Sequence, residues 1–149
     1  MSSDTALQEL LDSIGMHKGH LTGPDVARLT VHENKVLGAH LVPGLEVDVD
    51  ERPGGVAARI RLRAGARLAN PVQLCFGLLP ERGKQHIEMD VTIEEDAETS
   101  ILAHCTFPNA VEVEHTMNAE IRIAPGARYE YFERHIHGAE GGVLVLPRA

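Results

Sequence analysis

The chain has 149 residues, with 14 Lys and Arg against 22 Asp and Glu for a formal net charge of -8, so no broad basic face is available to neutralise a phosphate backbone. Hydrophobic residues make up 43% of it but aromatics only 3%, and Trp is absent, so Val, Ile, Leu and Ala must fill the core, which points to stacked β-structure. No apolar run approaches the length of about 18 residues that spans a bilayer, and Met1-Ser2-Ser3-Asp4 lacks the basic, apolar start of a signal peptide; a cytoplasmic protein of one domain, 1–149, without nucleic-acid or membrane partners, is expected.

The first predicted element is a helix. Leu7, Leu10, Leu11 and Ile14 fall on one face at helical spacing, Thr5 and Gln8 have capping-box spacing, and Gly15 is placed to stop it. A connector of Gly, His and Lys follows from Met16 to Gly23, so that 1–20 is helix and connector and 21–149 is the β-body. Strands are predicted at Ala27–Val31, Lys35–Leu41, Leu45–Val49, Val56–Leu62, Val72–Leu79, Ile87–Ile93, Ser100–Phe107, Met117–Ile123, Tyr129–His137 and Val143–Leu146.

Three of these stretches are copies of one another at a period of about 30 residues. Ile60-Arg61-Leu62 precedes Gly65-Ala66-Arg67-Leu68, Val91-Thr92-Ile93 precedes Asp96-Ala97-Glu98-Thr99, and Ile121-Arg122-Ile123 precedes Gly126-Ala127-Arg128-Tyr129. Each copy is a strand, a tight corner and a strand, unable to bury its apolar face alone, so neighbours must stack into a shared core. The fold class expected is mainly β, a right-handed β-helix or solenoid-like stack with a short N-terminal helix capping one end. A sandwich or jelly roll built from hairpins is the competitor.

Aligning the copies on Gly65, Asp96 and Gly126 puts Cys105 and His135 each nine residues past its corner, in the same register. In the first copy the tenth residue is Cys75, and a one-residue bulge at Asn70-Pro71 would bring it into line. Strand alternation places Tyr129, Tyr131, Glu133, His135 and His137 on one face, Ala103, Cys105 and Phe107 on another, and turns His104 away from both. Facing Cys, His and Glu side chains on rungs about 4.8 Å apart can share a metal ion. Taken singly, Cys75 and Cys105 also read as ordinary buried thiols. The acidic stretch Glu94-Glu95-Asp96 and the Glu112 and Glu114 pair read as solvated turns and edges. No phosphate-binding loop and no G-x-S-x-G elbow occurs, and a Cys105 nucleophile would need His115 or His135 as its base.

The spaced elements His104-Cys105-Thr106-Phe107-Pro108-Asn109-Ala110, His115-Thr116-Met117-Asn118-Ala119-Glu120-Ile121, Gly126-Ala127 and Tyr131-Phe132-Glu133-Arg134-His135-Ile136-His137-Gly138 resemble the SufB/SufD family over roughly 56–138. That resemblance implies a β-helical scaffold for iron–sulfur cluster assembly rather than an enzyme, working with a SufC-type ATPase and holding iron or a nascent cluster transiently. It points to Cys105, Glu133 and His135 as ligands, with Cys75 and His137 beside them. Family members usually continue into a helical C-terminal region that engages the ATPase; this sequence stops at Ala149, which leaves ATPase docking open. The apolar Val143-Leu144-Val145-Leu146 near the other end of the stack suggests a homodimer or a SufB/SufD-like pair. Two alternatives have their own signatures. A cupin-like metal barrel would use His135-x-His137 and Glu140, and a purely structural solenoid module would tolerate alanine at Cys105 and His135.

Overall fold

The computed structural model describes residues 2–15 and 23–149; the connector expected at Met16–Gly23 falls, except for Gly23, outside them. Helix α1, Ser3–Ser13, opens on Ser2, whose hydroxyl accepts from the Thr5 amide, so the cap is Ser2 and not the Thr5 expected. Gly15 ends it at φ 73°, donating back to Asp12. Ten strands follow: β1 Arg28–His32, β2 Lys35–His40, β3 Leu45–Arg52, β4 Gly55–Leu62, β5 Val72–Gly77, β6 Arg82–Ile93, β7 Glu98–Phe107, β8 Glu112–Ile123, β9 Arg128–His137 and β10 Val143–Arg148.

They form two five-stranded sheets, ordered β2-β1-β5-β7-β9 and β10-β8-β6-β4-β3. The chain crosses from one sheet to the other with every strand after β4, and β1-β5-β7-β9 and β4-β6-β8-β10 run parallel throughout. This is a β-solenoid of about three turns, flattened into two faces. Parallel ladders of this kind exclude the hairpin-built jelly roll and, with it, the cupin-like barrel. The antiparallel pairs β1–β2 and β3–β4 close one end of the stack, while β9 and β10 are edge strands at the other.

The repeat is visible as register. Ile60, Val91 and Ile121 stand in one row, as do Leu62, Ile93 and Ile123. The corners stack as well, with Gly65, Asp96 and Gly126 all at positive φ and Gly65 donating to Glu95 and Asp96 to Pro125. Inward positions fill the space between the sheets with Leu29, Val56, Ile60, Leu62, Leu74, Ile87, Val91, Ile93 and Ile101, and among the described residues Phe76 and Phe107 are the only Phe or Tyr rings brought to full burial. Strands β6 and β8 begin five residues earlier than the apolar pattern predicts. Their first residues carry outward charges that pair between strands, Arg82 with Glu112 and Lys84 with Glu114, so the acidic pair of β8 lies on a strand face and not in a turn.

The helix does not cap the end of the stack. Ala6, Leu10, Leu11 and Ile14 pack with Cys75 and Leu79, flanked by Leu37 and Ile136, on the outer face of the β1-containing sheet. That face is apolar at its centre because Gly77 leaves room for Leu10, whose Cδ2 would meet a Cβ there at 2.2 Å.

Candidate metal centre

Cys105 on β7 and His135 on β9 are direct register partners, and Glu133 pairs with Ala103. All three side chains point inward by strand alternation, and they converge where the core meets the edge strand. Cys105 is fully buried, whereas the Glu133 and His135 side chains are 16% and 29% exposed, so the cluster is open on the β9 side. Cys105 Sγ lies 3.8 Å from Glu133 Oε1, and His135 Nε2 lies 2.8 Å from Glu133 Oε2. One sulfur, one oxygen and one nitrogen thus sit within 4.8 Å of each other, the only such group of three found among the described residues.

Tyr131, two residues before Glu133, donates its hydroxyl to Glu133 Oε1 at 2.9 Å. Burial and the neighbouring carboxylate hold that phenol protonated, so it is a fixed donor. Burial, and after it the Glu133 charge, pushes the Cys105 thiol well above its ordinary range. A cation held there would reverse this balance, because thiolate is the ligand form and metal binding displaces the thiol proton.

Behind the cluster, His115 enters the core from β8 in the other sheet, 1% exposed, with its ring 6.3 Å from that of His135. Burial lowers its pKa to about 4, so it is neutral at physiological pH.

Cys75 and His137 stand elsewhere. Cys75 pairs with His104, and Phe76 is the neighbour of Cys105, so the bulge expected at Asn70-Pro71 does not bring Cys75 into line. Arg67 bridges Glu98 and Val72 pairs with Ile101, which leaves four residues on the first copy facing two on the second. An insertion of two preserves side-chain alternation, and a shift of one was needed to turn Cys75 inward. It lies instead beneath α1, where burial alone pushes its thiol up to about 12. Both cysteines are free thiols. His137 pairs with Phe107, is exposed, and faces its own strand end with Nδ1 3.3 Å from the Gly138 carbonyl.

His104 points away from Cys105 as alternation requires. It is satisfied between Gln73 Oε1 at 3.0 Å and Arg134 Nη1 at 3.3 Å, and burial, with Arg134 second, lowers its pKa to about 4. It cannot serve as the thiol's base. Tyr131 and Gln85 were not among the candidate ligands, and His115 was named only as a base for a Cys105 nucleophile; Gln85 and His115 are one 30-residue period apart and are register partners, a signal the repeat alignment contained.

No family model matches the chain. An iron–sulfur cluster assembly SufBD family protein of Methanocaldococcus jannaschii is 33% identical over 128 residues, 86% of this chain and 40% of the relative. One of Pyrococcus horikoshii, described in the same words, is 29% identical over 143 residues, 96% of this chain and 43% of the relative. The chain is similar to these SufBD family proteins. It spans about two fifths of the length of these curated relatives. The sulfur, carboxylate and imidazole of the cluster all come from the two adjacent parallel strands β7 and β9, one solenoid layer apart.

Proposed function

We propose that the chain acts in iron–sulfur cluster assembly as a scaffold that holds iron or a nascent cluster as cargo on Cys105, Glu133 and His135. The observation that carries this reading is the convergence of those three donors, within 4.8 Å, at an edge strand. Thiolate and imidazole suit iron–sulfur chemistry, and a carboxylate supplies a harder oxygen for ferrous iron. The similarity to two SufBD family proteins supports it independently.

The protein's own groups set how cargo enters. Glu133 is held from three sides, by the Tyr131 hydroxyl, the Cys105 thiol and the His135 ring, so its oxygens are positioned before anything binds. Uptake replaces the thiol proton by the cation, and Tyr131 keeps the carboxylate oriented while it changes partners. The acidic net charge favours attraction of cations to the molecule. Scaffolding requires no turnover, so no catalytic residue is assigned.

The partners follow from the same reading: a SufC-type ATPase, and a second solenoid as homodimer or SufB/SufD-like pair against the β9 and β10 edges. The compartment proposed is the cytoplasm, and no described helix is long and apolar enough to cross a membrane. Anaerobic reconstitution with ferrous iron and sulfide tests the function. Wild type should gain cluster absorbance and stoichiometric iron, and the Cys105→Ala/His135→Ala protein should not. Equal, substoichiometric iron in both without cluster absorbance would favour the purely structural solenoid module.

A further inference from the structure

The wall opposite Cys105 and His135 carries an imidazole whose chemistry is set by its neighbours. His115 Nδ1 lies 3.0 Å from Gln85 Oε1. The Gln85 amide nitrogen is engaged by two backbone carbonyls, Glu33 at 2.9 Å and Gly77 at 3.1 Å. With both of its N–H groups donated, Gln85 can offer His115 only an oxygen, which accepts. In the neutral ring the proton therefore sits on Nδ1, and Nε2 keeps its lone pair.

That lone pair has no partner: Nε2 is buried and makes no hydrogen bond. Buried acceptors are nearly always satisfied, so a bare one asks for a function. Nδ1 faces Gln85 on the neighbouring strand β6, so Nε2, on the far side of the ring, is directed away from the Gln85 amide. The His135 ring lies 6.3 Å from the His115 ring and at 74° to it, and the Phe107 ring packs at 5.0 Å. Metal-ligating histidines typically donate their second N–H to a fixed acceptor, which is the arrangement Gln85 provides before any metal arrives.

We infer that His115 Nε2 is a further nitrogen donor to the ion held by Cys105, Glu133 and His135, supplied from the opposite sheet with its tautomer preset by Gln85. The inference rests on the proposed reading that this cluster takes a metal, and it adds a ligand that ties both sheets to the cargo. The resulting set is one thiolate, one carboxylate and two imidazoles, with the two imidazoles on β8 and β9.

Co²⁺ is the probe, added anaerobically to the full chain. Wild type should show thiolate-to-cobalt charge transfer and, in the proton spectrum, a hyperfine-shifted imidazole N–H that exchanges slowly with D₂O. The slow exchange marks His115, whose Nδ1 proton is buried against Gln85, and separates it from His135 at the open side. His115→Asn keeps an amide donor toward Gln85 and removes only the outer nitrogen. It should lose the slowly exchanging signal and bind Co²⁺ about tenfold or more weakly, the scale on which altered metal-site support acts. Charge transfer in wild type without the slow N–H, or an unchanged Co²⁺ affinity in folded His115→Asn, would overturn the role of His115 while leaving the metal site standing. Charge transfer absent from wild type, or retained in Cys105→Ala, would overturn the metal-site reading and this one with it. Because the N–H signal is read on wild type, the outcome is decided even where His115→Asn fails to fold.

Discussion

Two buried histidines are held neutral for reasons that differ in detail and add up in effect. His115 is desolvated beside Phe107, and His104 is desolvated and faces the Arg134 guanidinium. In each the folded pKa is about 4 against 6.5 for the free side chain, so the unfolded chain binds the extra proton first. The stability linked to them is fully present above pH 6.5 and is lost as pH falls to about 4, by a few kcal/mol in all. Thermal unfolding with chelator present should show the Tm falling across that window, and His104→Gln should flatten part of the fall. A Tm constant from pH 7 to 4.5 would contradict the assignment. At the same scale, Cys75 and Cys105 differ in what surrounds them: Cys75 meets an apolar cluster beneath a helix, whereas Cys105 meets a carboxylate held by a tyrosine.

At the scale of elements, the helix and the first hairpin carry the sharpest consequences. Leu10 is wholly buried and fills the space that Gly77 leaves open on β5. Leu10→Ala should cost about 2–5 kcal/mol, the usual range for a large core side chain truncated to alanine. It should also expose Cys75 to thiol reagents, with β-sheet circular dichroism unchanged; unaltered labelling of Cys75 would show that α1 does not cover it. Gly54 and Gly55 make a paired test. Alanine at Gly54 meets nothing within 4 Å and bears only the left-handed backbone penalty at φ 76°, about 1–2 kcal/mol. Alanine at Gly55 would put a Cβ 1.8 Å from the His86 carbonyl oxygen on the neighbouring strand, so β4 and β6 must separate there. Chemical denaturation should rank Gly55→Ala clearly below Gly54→Ala, and equal midpoints would refute the close approach.

The whole molecule presents two unlike faces and one open end. The outer face of the β4-containing sheet carries exposed cross-strand ion pairs, Arg59 with Asp48 and Arg122 with Asp90, and at the corner after β6 the half-buried Glu94 pairs with Arg61, each individually of small value. The opposite outer face is covered in part by α1. At the open end, Phe132, Leu144 and Leu146 are 59%, 54% and 51% exposed on strands whose outer backbone edge is unpaired. Such edges template association unless blunted by charge. Light scattering at tens of micromolar should find a dimer, and Leu144→Lys/Leu146→Lys should give a monomer with the same circular dichroism. A monomeric wild type would remove the homodimer proposal.

Much of this is legible in the sequence. Period-two alternation assigned the faces of β7 and β9, and the 30-residue repeat put Cys105 beside His135, because both facts depend only on local chain geometry and equal spacing between corners. The same alternation turned His104 away. What the sequence left open depended on distances across the fold. The two-residue insertion before β5 placed Cys75 outward, and nothing local distinguishes it from a one-residue bulge. The helix chose a sheet face over the end of the stack because Gly77 made a socket there that only the packed partners reveal. His115 reached the site from the other sheet, and the approach of two sheets is set by how their inward side chains fill the core, so only the tertiary structure brought its ring within 6.3 Å of His135.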